Sequence, residues 1–350
     1  MPENSILLIG VFPLASGGRK AVCEEMAERL QAAGWRVYCA SAKTGRIARL
    51  LDMLWTAWTN RRSYSMAHVE VFSGPAFVWA EVVSLLLWLL NKPQFFTLHG
   101  GNLPAFSRQR PNRVAALLRR AVAVTAPSRY LYEQMIPYRQ DLVLLPNALD
   151  LDQHHFRVRS RPAPRLIWVR SFHRIYNPQL AVEALARLTP EFPDIQLTML
   201  GPDKDGSLEM VRETAKYRGI LDRITFAGAV SKSQVPGWLD RADIFLNTTN
   251  IDNMPLSVLE AMASGLCVVT TDVGGIPYLA SHGKDALLVP PDDAEALAGA
   301  VQALLRSPDL AGRLSVNARH TACQYDWRLI LPKWLDLFGT VEAGKLVTTS

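Results

Sequence analysis

Cysteine is scarce in this chain, and the little there is has no pattern. Cys23, Cys39, Cys267 and Cys323 are the four cysteines among 350 residues, far apart and without a Cys-x-x-Cys spacing. That excludes a disulfide-stapled scaffold and fits a reducing compartment. Histidine offers no metal framework either, because His68, His154, His155, His173, His282 and His320 lack ligand spacing. No metal site and no cofactor are expected. Long hydrophobic runs are also missing. The most apolar helical pattern, Phe77–Leu90, covers 14 residues and contains Glu81, whereas a bilayer span needs about 20. It reads as a core helix. The strand Ile6–Ile9 follows Glu3 and no basic n-region, so no signal peptide is read. A cytoplasmic location is expected, with the inner face of the plasma membrane as its outer limit. There is no Walker loop, Gly-x-Gly-x-x-Gly, solenoid repeat, low-complexity tract or nucleic-acid-binding motif.

What is present is a folded, two-domain composition, with 49% hydrophobic and 20% charged residues and enough length for two ordinary cores. Residues 1–155 hold 17 Lys/Arg against 11 Asp/Glu, while the remainder holds 21 of each. The excess of +6 therefore sits in the first half, where it marks either an anionic partner or solvated helix faces.

Apolar runs alternate with amphipathic stretches, the pattern of βα units around parallel sheets. Strands are expected at Ile6–Ile9, Val37–Ala40, His68–Phe72, Phe95–Leu98, Ala121–Thr125 and Leu142–Leu145. Arg157–Arg165, rich in Pro and Arg, reads as an interdomain linker. A second set of strands follows at Leu166–Val169, Gln196–Leu200, Ile224–Phe226, Ile244–Leu246, Val268–Thr270 and Leu287–Val289. One helix is expected to open at Asn177-Pro178, a cap followed by proline at the first helical position. The domains expected are residues 1–156 and 157–326. Open α/β domains bind ligands at the carboxyl ends of their strands, which makes a cleft between the two the expected site.

Several loops suit a phosphorylated ligand. Gly17 and Gly18 follow the first strand and open onto a helix, as a backbone approaching phosphate requires and as an ordinary βα turn also does. Arg170 ends the first strand of the second set, where a guanidinium can hold two diphosphate oxygens. Asn250-Ile-Asp-Asn-Met-Pro-Leu-Ser-Val-Leu-Glu-Ala-Met-Ala-Ser-Gly265 places Asp252 and Glu260 around a helix start. Carboxylates there can accept from sugar hydroxyls, and the amides of Met254, Leu256 and Ser257 can donate to hydroxyls and phosphate. The segment Arg46–Arg62 sets Ile47, Leu50, Leu51, Leu54 and Trp58 at helical spacing between basic residues. It is either a peripheral contact with an anionic membrane or acceptor, or a packed helix with tryptophan in the core.

The Asn250–Gly265 segment resembles the Glu-x7-Glu signature of retaining GT-B glycosyltransferases of family 4, with Asp252 in place of the first Glu. His99-Gly-Gly, Pro127-Ser-Arg-Tyr-Leu131, Pro146-Asn-Ala-Leu-Asp150 and Gly201-Pro-Asp203 occur in that family's order. The resemblance implies an α/β fold of the GT-B type, two Rossmann-like domains facing each other across a cleft. The first domain would bind the acceptor and be completed by a returning helix at about 327–345; the second would bind the nucleotide sugar. It also implies catalytic roles for His99 (near the anomeric centre), Arg170 and Asp252. Donor-binding roles fall to Gly17, Gly18, Arg174, Gly201, Val230, Asn253, Met254, Pro255, Leu256, Ser257 and Glu260. Gly201 and Val230 would frame the base, and Glu260 would hold the ribose. Two departures stand out: the family's lysine after Arg170 is missing, with Arg174 the candidate substitute, and Gly274-Gly-Ile-Pro-Tyr278 ends in Tyr where Glu is frequent.

The expected function is metal-independent transfer of a hexose or N-acetylhexosamine from a UDP- or GDP-linked donor. The acceptor would be a hydroxyl of a glycan or lipid-linked molecule, and anomeric configuration would be retained. An epimerase or phosphorylase on the same fold, or a non-catalytic sugar-nucleotide-binding scaffold, are the alternatives.

Overall fold

The computed structural model describes residues 4–10, 22–43 and 45–342. The chain divides into two units, Met1–Asn147 with Arg328–Ser350, and Ala148–Trp327.

The first unit runs β1 (Ser5–Ile9), α1 (Val22–Ala32), β2 (Arg36–Ala40), α2 (Arg46–Thr59), β3 (Met66–Val71), α3 (Pro75–Leu89) and β4 (Gln94–Leu98). It continues through α4 (Leu103–Gln109), α5 (Pro111–Leu118), β5 (Ala123–Ala126), α6 (Arg129–Met135) and β6 (Val143–Leu144). All strands pair in parallel, in the order β2-β1-β3-β4-β5-β6. Strands β1, β4 and β5 are buried along their whole length. Helices cover both faces of a parallel sheet, so its central strands are mostly apolar.

One face carries Met53 and Ala57 of α2 and Phe77, Ala80, Val83 and Leu87 of α3, packed with Val69, Val71, Phe96 and Leu98. The opposite face receives the returning helix α14 (Trp327–Glu342): Phe338 meets Phe95 edge-on and lies 5.6 Å from the Trp35 ring, and Trp334 meets His68 edge-on. The expectation that Phe77–Leu90 is a core helix holds for only half of its circumference. Val78, Leu85, Trp88 and Leu89 are exposed.

The second unit runs β7 (Arg165–Val169), α7 (Pro178–Leu188), β8 (Gln196–Leu200), α8 (Ser207–Tyr217), β9 (Ile224–Gly228), α9 (Val235–Asp240) and β10 (Ile244–Asn247). Then follow α10 (Leu256–Ala263), β11 (Cys267–Thr271), α11 (Ile276–Leu279), β12 (Leu287–Val289), α12 (Ala294–Arg306) and α13 (Pro308–Cys323). Its parallel sheet has the order β12-β11-β10-β7-β8-β9, the strand order of a dinucleotide-binding Rossmann fold. Alternate residues of β7 serve two cores, Leu166 and Trp168 on one face and Ile167 and Val169 on the other.

Two local expectations are corrected. Pro178 does open α7, but Asn177 adopts a left-handed conformation and caps nothing with its side chain; its amide donates instead to Asp292 at 2.6 Å. Arg157–Arg165 is no loose linker. Arg159 is buried, and its neighbours Arg157 and Arg165 converge with it on buried Asp243. Arginine-rich composition resembles a solvated connector in sequence, whereas here one carboxylate holds three guanidinium groups.

Candidate functional site

Reversal of strand order marks where a ligand sits in an open α/β sheet. In the second unit the order reverses between β7 and β10, and the loops leaving those strands carry Arg170 and Asp252. The structure joins them directly. Nη2 of Arg170 donates to Oδ2 of Asp252, and the side chains are only 13% and 12% exposed. Oδ1 of Asp252 accepts the Asn253 amide at 2.9 Å. The Tyr176 ring lies 4.7 Å from the guanidinium carbon, and Nε of Arg170 is buried with no partner among the described residues. A guanidinium clamped by a carboxylate and an aromatic face, with a donor left over, is pre-organised for an anion.

The surrounding backbone is tied down. Thr248 Oγ1 accepts from Trp168 Nε1 at 2.9 Å and donates to the Tyr176 carbonyl at 2.8 Å. The Asn250 amide donates to the Ile175 carbonyl at 2.8 Å, and Thr271 donates to the Thr249 carbonyl at 2.6 Å. The 174–176 turn and the loop after β10 therefore form one block. Two glycines allow the close approaches this needs. A Cβ on Gly201, which has φ +146°, would fall 1.7 Å from the Arg170 carbonyl oxygen, and one on Gly275 would fall 1.7 Å from the Asn253 carbonyl oxygen.

Helix α10 begins at this loop. Pro255 is its cap, and its carbonyl accepts from Val258 and Leu259. The amides of Leu256 and Ser257 belong to the first turn, which has no intrahelical acceptor. Ser257 Oγ and Asn250 Oδ1 are buried with no partner among the described residues. Glu260 is buried at 5% exposure and Asn253 at 7%, so neither is a solvated surface group. Met254 packs into the core beneath. Val230 lies beyond β9, packed against the same cluster. Arg174 takes no part in the Arg170–Asp252 pair: its backbone amide donates to Asp205 at 3.0 Å, and its side chain is exposed.

The first unit has its own cluster at the carboxyl ends of β1, β3 and β4. Nε2 of His99 stands 3.6 Å from Oε1 of Glu70, and Phe72 stacks on the imidazole at 4.9 Å between centroids. The His99 amide donates to the Val71 carbonyl at 2.8 Å. A Cβ on Gly10 would fall 2.5 Å from the Glu70 carboxylate, so the glycine ending β1 makes room for it. Burial pushes His99 down to about 4. The ring is therefore neutral at pH 7, and it donates or accepts according to tautomer. Glu70 was missed by the sequence reading. Its signal was a carboxylate in the strand Met66–Val71, whose other residues apart from His68 are apolar. Gly17 and Gly18 lie outside the described residues.

Two Asp-x-Asp pairs, which the sequence reading passed over, carry out local capping. Asp150 accepts from the amide of Asp152 and the side chain of Gln153. Asp203 accepts from the amides of Asp205 and Gly206, and Asp205 from those of Arg174 and Ser207.

Residues 163–307 match the family model described as glycosyl transferases group 1. Among curated proteins, the D-inositol 3-phosphate glycosyltransferase of Jonesia denitrificans is 28% identical over 189 residues, covering 53% of this chain and 45% of that enzyme. The chain spans about half the length, or less, of the first curated relatives it matches. Among solved structures, sucrose-phosphate synthase from Thermosynechococcus elongatus superposes with a TM-score of 0.80 at 20% identity, over 98% of this chain and 100% of that one. Anabaena HepE, solved with UDP and glucose, gives 0.76 at 16% identity over 97% and 100%. These likenesses show the fold: two Rossmann-like domains of the GT-B type.

Proposed function

We propose that this chain, whose residues 163–307 match the family model of the group 1 glycosyl transferases, is a retaining hexosyltransferase. It moves a hexose or N-acetylhexosamine from a nucleoside diphosphate, linked to UDP or GDP, onto a hydroxyl of a glycan or lipid-linked acceptor. The observation that carries this reading is the largely shielded Arg170–Asp252 pair at the strand-order reversal. Beside it lie buried polar atoms on Arg170, Asn250 and Ser257 that lack partners among the described residues. Buried polar atoms are normally satisfied, so such a group at a ligand-binding edge speaks for a polar ligand.

In the second unit, Arg170 and the first-turn amides of α10 hold the diphosphate. The sugar's C1–O bond to the β-phosphate breaks, and its electron pair stays on the phosphate. The acceptor oxygen bonds to C1 on the same face, and its proton passes to the departing phosphate. Arg170 stabilises the charge that grows on that phosphate. Asp252 orients Arg170 and accepts from the transferred sugar, Glu260 takes the ribose, and Gly201 and Val230 frame the base. The first unit takes the acceptor, and His99 hydrogen-bonds sugar hydroxyls as a neutral ring. No step calls for a divalent cation.

The test uses the full chain with a panel of UDP- and GDP-linked sugars, in excess chelator, with and without candidate glycan acceptors. One donor is expected to raise the melting temperature and to be consumed only with acceptor. Arg170→Ala is expected to lower kcat/KM by about 10²–10³. Activity lost to chelator and restored by divalent ions overturns the metal-free step. Conversion of donor without acceptor indicates an epimerase, a requirement for free phosphate indicates a phosphorylase, and no response to any donor sinks the reading.

A further inference from the structure

An amphipathic helix normally turns its apolar stripe toward the core. Helix α2 has two such stripes. Met53 and Ala57 pack inward, while Ile47, Leu51, Trp55 and Trp58 are 78%, 60%, 68% and 49% exposed along the opposite side. These four recur at three- and four-residue intervals, so they form one continuous line. Helix α3 lies alongside and adds Trp88 and Leu89, 61% and 67% exposed. Between the helices runs a groove of about 760 Å³, in whose lining, among the described residues, Lys43 and Asp52 are the only charged side chains. Trp55 and Trp58, exposed beside this groove with Leu51, Leu85 and Leu89, exceed the scattered apolar residues of an ordinary surface.

The charges around this line are predominantly positive. Residues 41–62 hold five cations, Lys43, Arg46, Arg49, Arg61 and Arg62, against the single carboxylate of Asp52. Arg61 lies over the Trp58 ring at 4.5 Å, and Arg49 over the Trp79 ring at 5.5 Å. On the far side of α3, Glu81 is neutralised by Arg113, with Arg120 beside it. A saccharide would need hydrogen-bonding groups between the rings, and this lining has almost none. An open apolar face rimmed mostly by cations, with tryptophan at its margin, complements the acyl boundary and headgroups of an anionic bilayer.

We propose that the α2–α3 face of the first unit docks on the surface of an anionic phospholipid bilayer. The tryptophans and leucines enter the headgroup boundary, and the arginines pair with lipid phosphates. No membrane span is involved: among the described residues no helix is long and apolar enough to cross a membrane. The proposal rests on this surface alone and stands apart from the donor assignments.

The experiment is flotation of the full chain with phosphatidylcholine vesicles and with vesicles containing phosphatidylglycerol, at low and high salt. Native protein is expected to float with the anionic vesicles, to bind neutral ones far less, and to be released by salt. Arg46→Glu with Arg62→Glu is expected to lower partitioning onto anionic vesicles by roughly tenfold or more. Trp55→Glu with Leu89→Glu is expected to abolish it at any lipid charge. All four residues are at the surface, so an unchanged melting temperature certifies the fold of both variants. Absence of native protein from the anionic vesicle fraction overturns the proposal. So does binding that the variants leave unchanged, or a native dimer that Trp55→Glu converts to monomer without any vesicle binding, which would give the face to a second copy of this chain.

Discussion

His68 and His99 differ from an ordinary histidine in the same direction. Burial is the larger cause for both, and for His68 the neighbouring His99 adds to it; the two are pushed down to about 3 and about 4. His68 accepts or donates at Nε2 in a chain to Thr97 and Thr125, each link 2.7 Å, and that chain suits a neutral ring. Unfolded, both rings take up a proton below about pH 6.5; folded, neither does until the acidic values above. Stability is therefore full above about pH 6.5 and falls as pH drops, by about 1.4 kcal/mol per pH unit for each ring. Urea unfolding of the first unit at pH 6 and pH 5 measures this, and His68→Asn is expected to reduce the slope by about half. An unchanged slope would mean that His68 is protonated in the folded protein. The sequence reading set His68 aside as carrying no chemistry and marked His99 by its position before two glycines. Neither the burial nor the approach of Glu70 was legible, because both depend on strands β1, β3 and β4 lying side by side.

Among the elements, the segment ahead of β7 departs furthest from its sequence pattern. Arg159 has a side chain with no exposure, and burial lowers its pKa to about 10, which still leaves it charged at pH 7. Its guanidinium donates to the carbonyls of Arg157, Ser264 and Ala242, and Asp243 is the buried counter-ion. Removing one partner of a buried ion pair leaves the other uncompensated. Asp243→Ala is therefore expected to destabilise the second unit by about 3–5 kcal/mol, read from its urea midpoint. A loss below about 1 kcal/mol would show that the carbonyls alone satisfy the arginines. Elements built from local pattern were legible: the strands were found close to their observed bounds, and the start of α10 falls between Asp252 and Glu260 as expected. Helix α4 was not read from the sequence; it is seven residues long and ends just before Pro111, which opens α5.

At the scale of the whole molecule, the chain leaves the first unit at Asn147 and returns to it after Trp327, so one sheet face of that unit is covered by residues distant in sequence. Phe338 is fully buried and Trp334 nearly so. A chain ending at Trp327 is expected to keep the second unit intact and to expose His68 and Phe95 in the first. Hydrogen exchange should then rise in β1, β3 and β4 and stay unchanged in β7, β10 and β11; equal protection in both units would show that α14 is dispensable. Sequence by itself determined the alternation of strands and helices, the two sheets, and the glycines and carboxylates around α10, because periodicity and backbone requirements are local. Tertiary structure alone decided that Asp252 grips Arg170, that Glu70 stands beside His99, that Arg159 is buried, and that α2 turns its tryptophans outward. Each of these depends on which strands become neighbours and which helix face the sheet takes up, and no short window of residues encodes that.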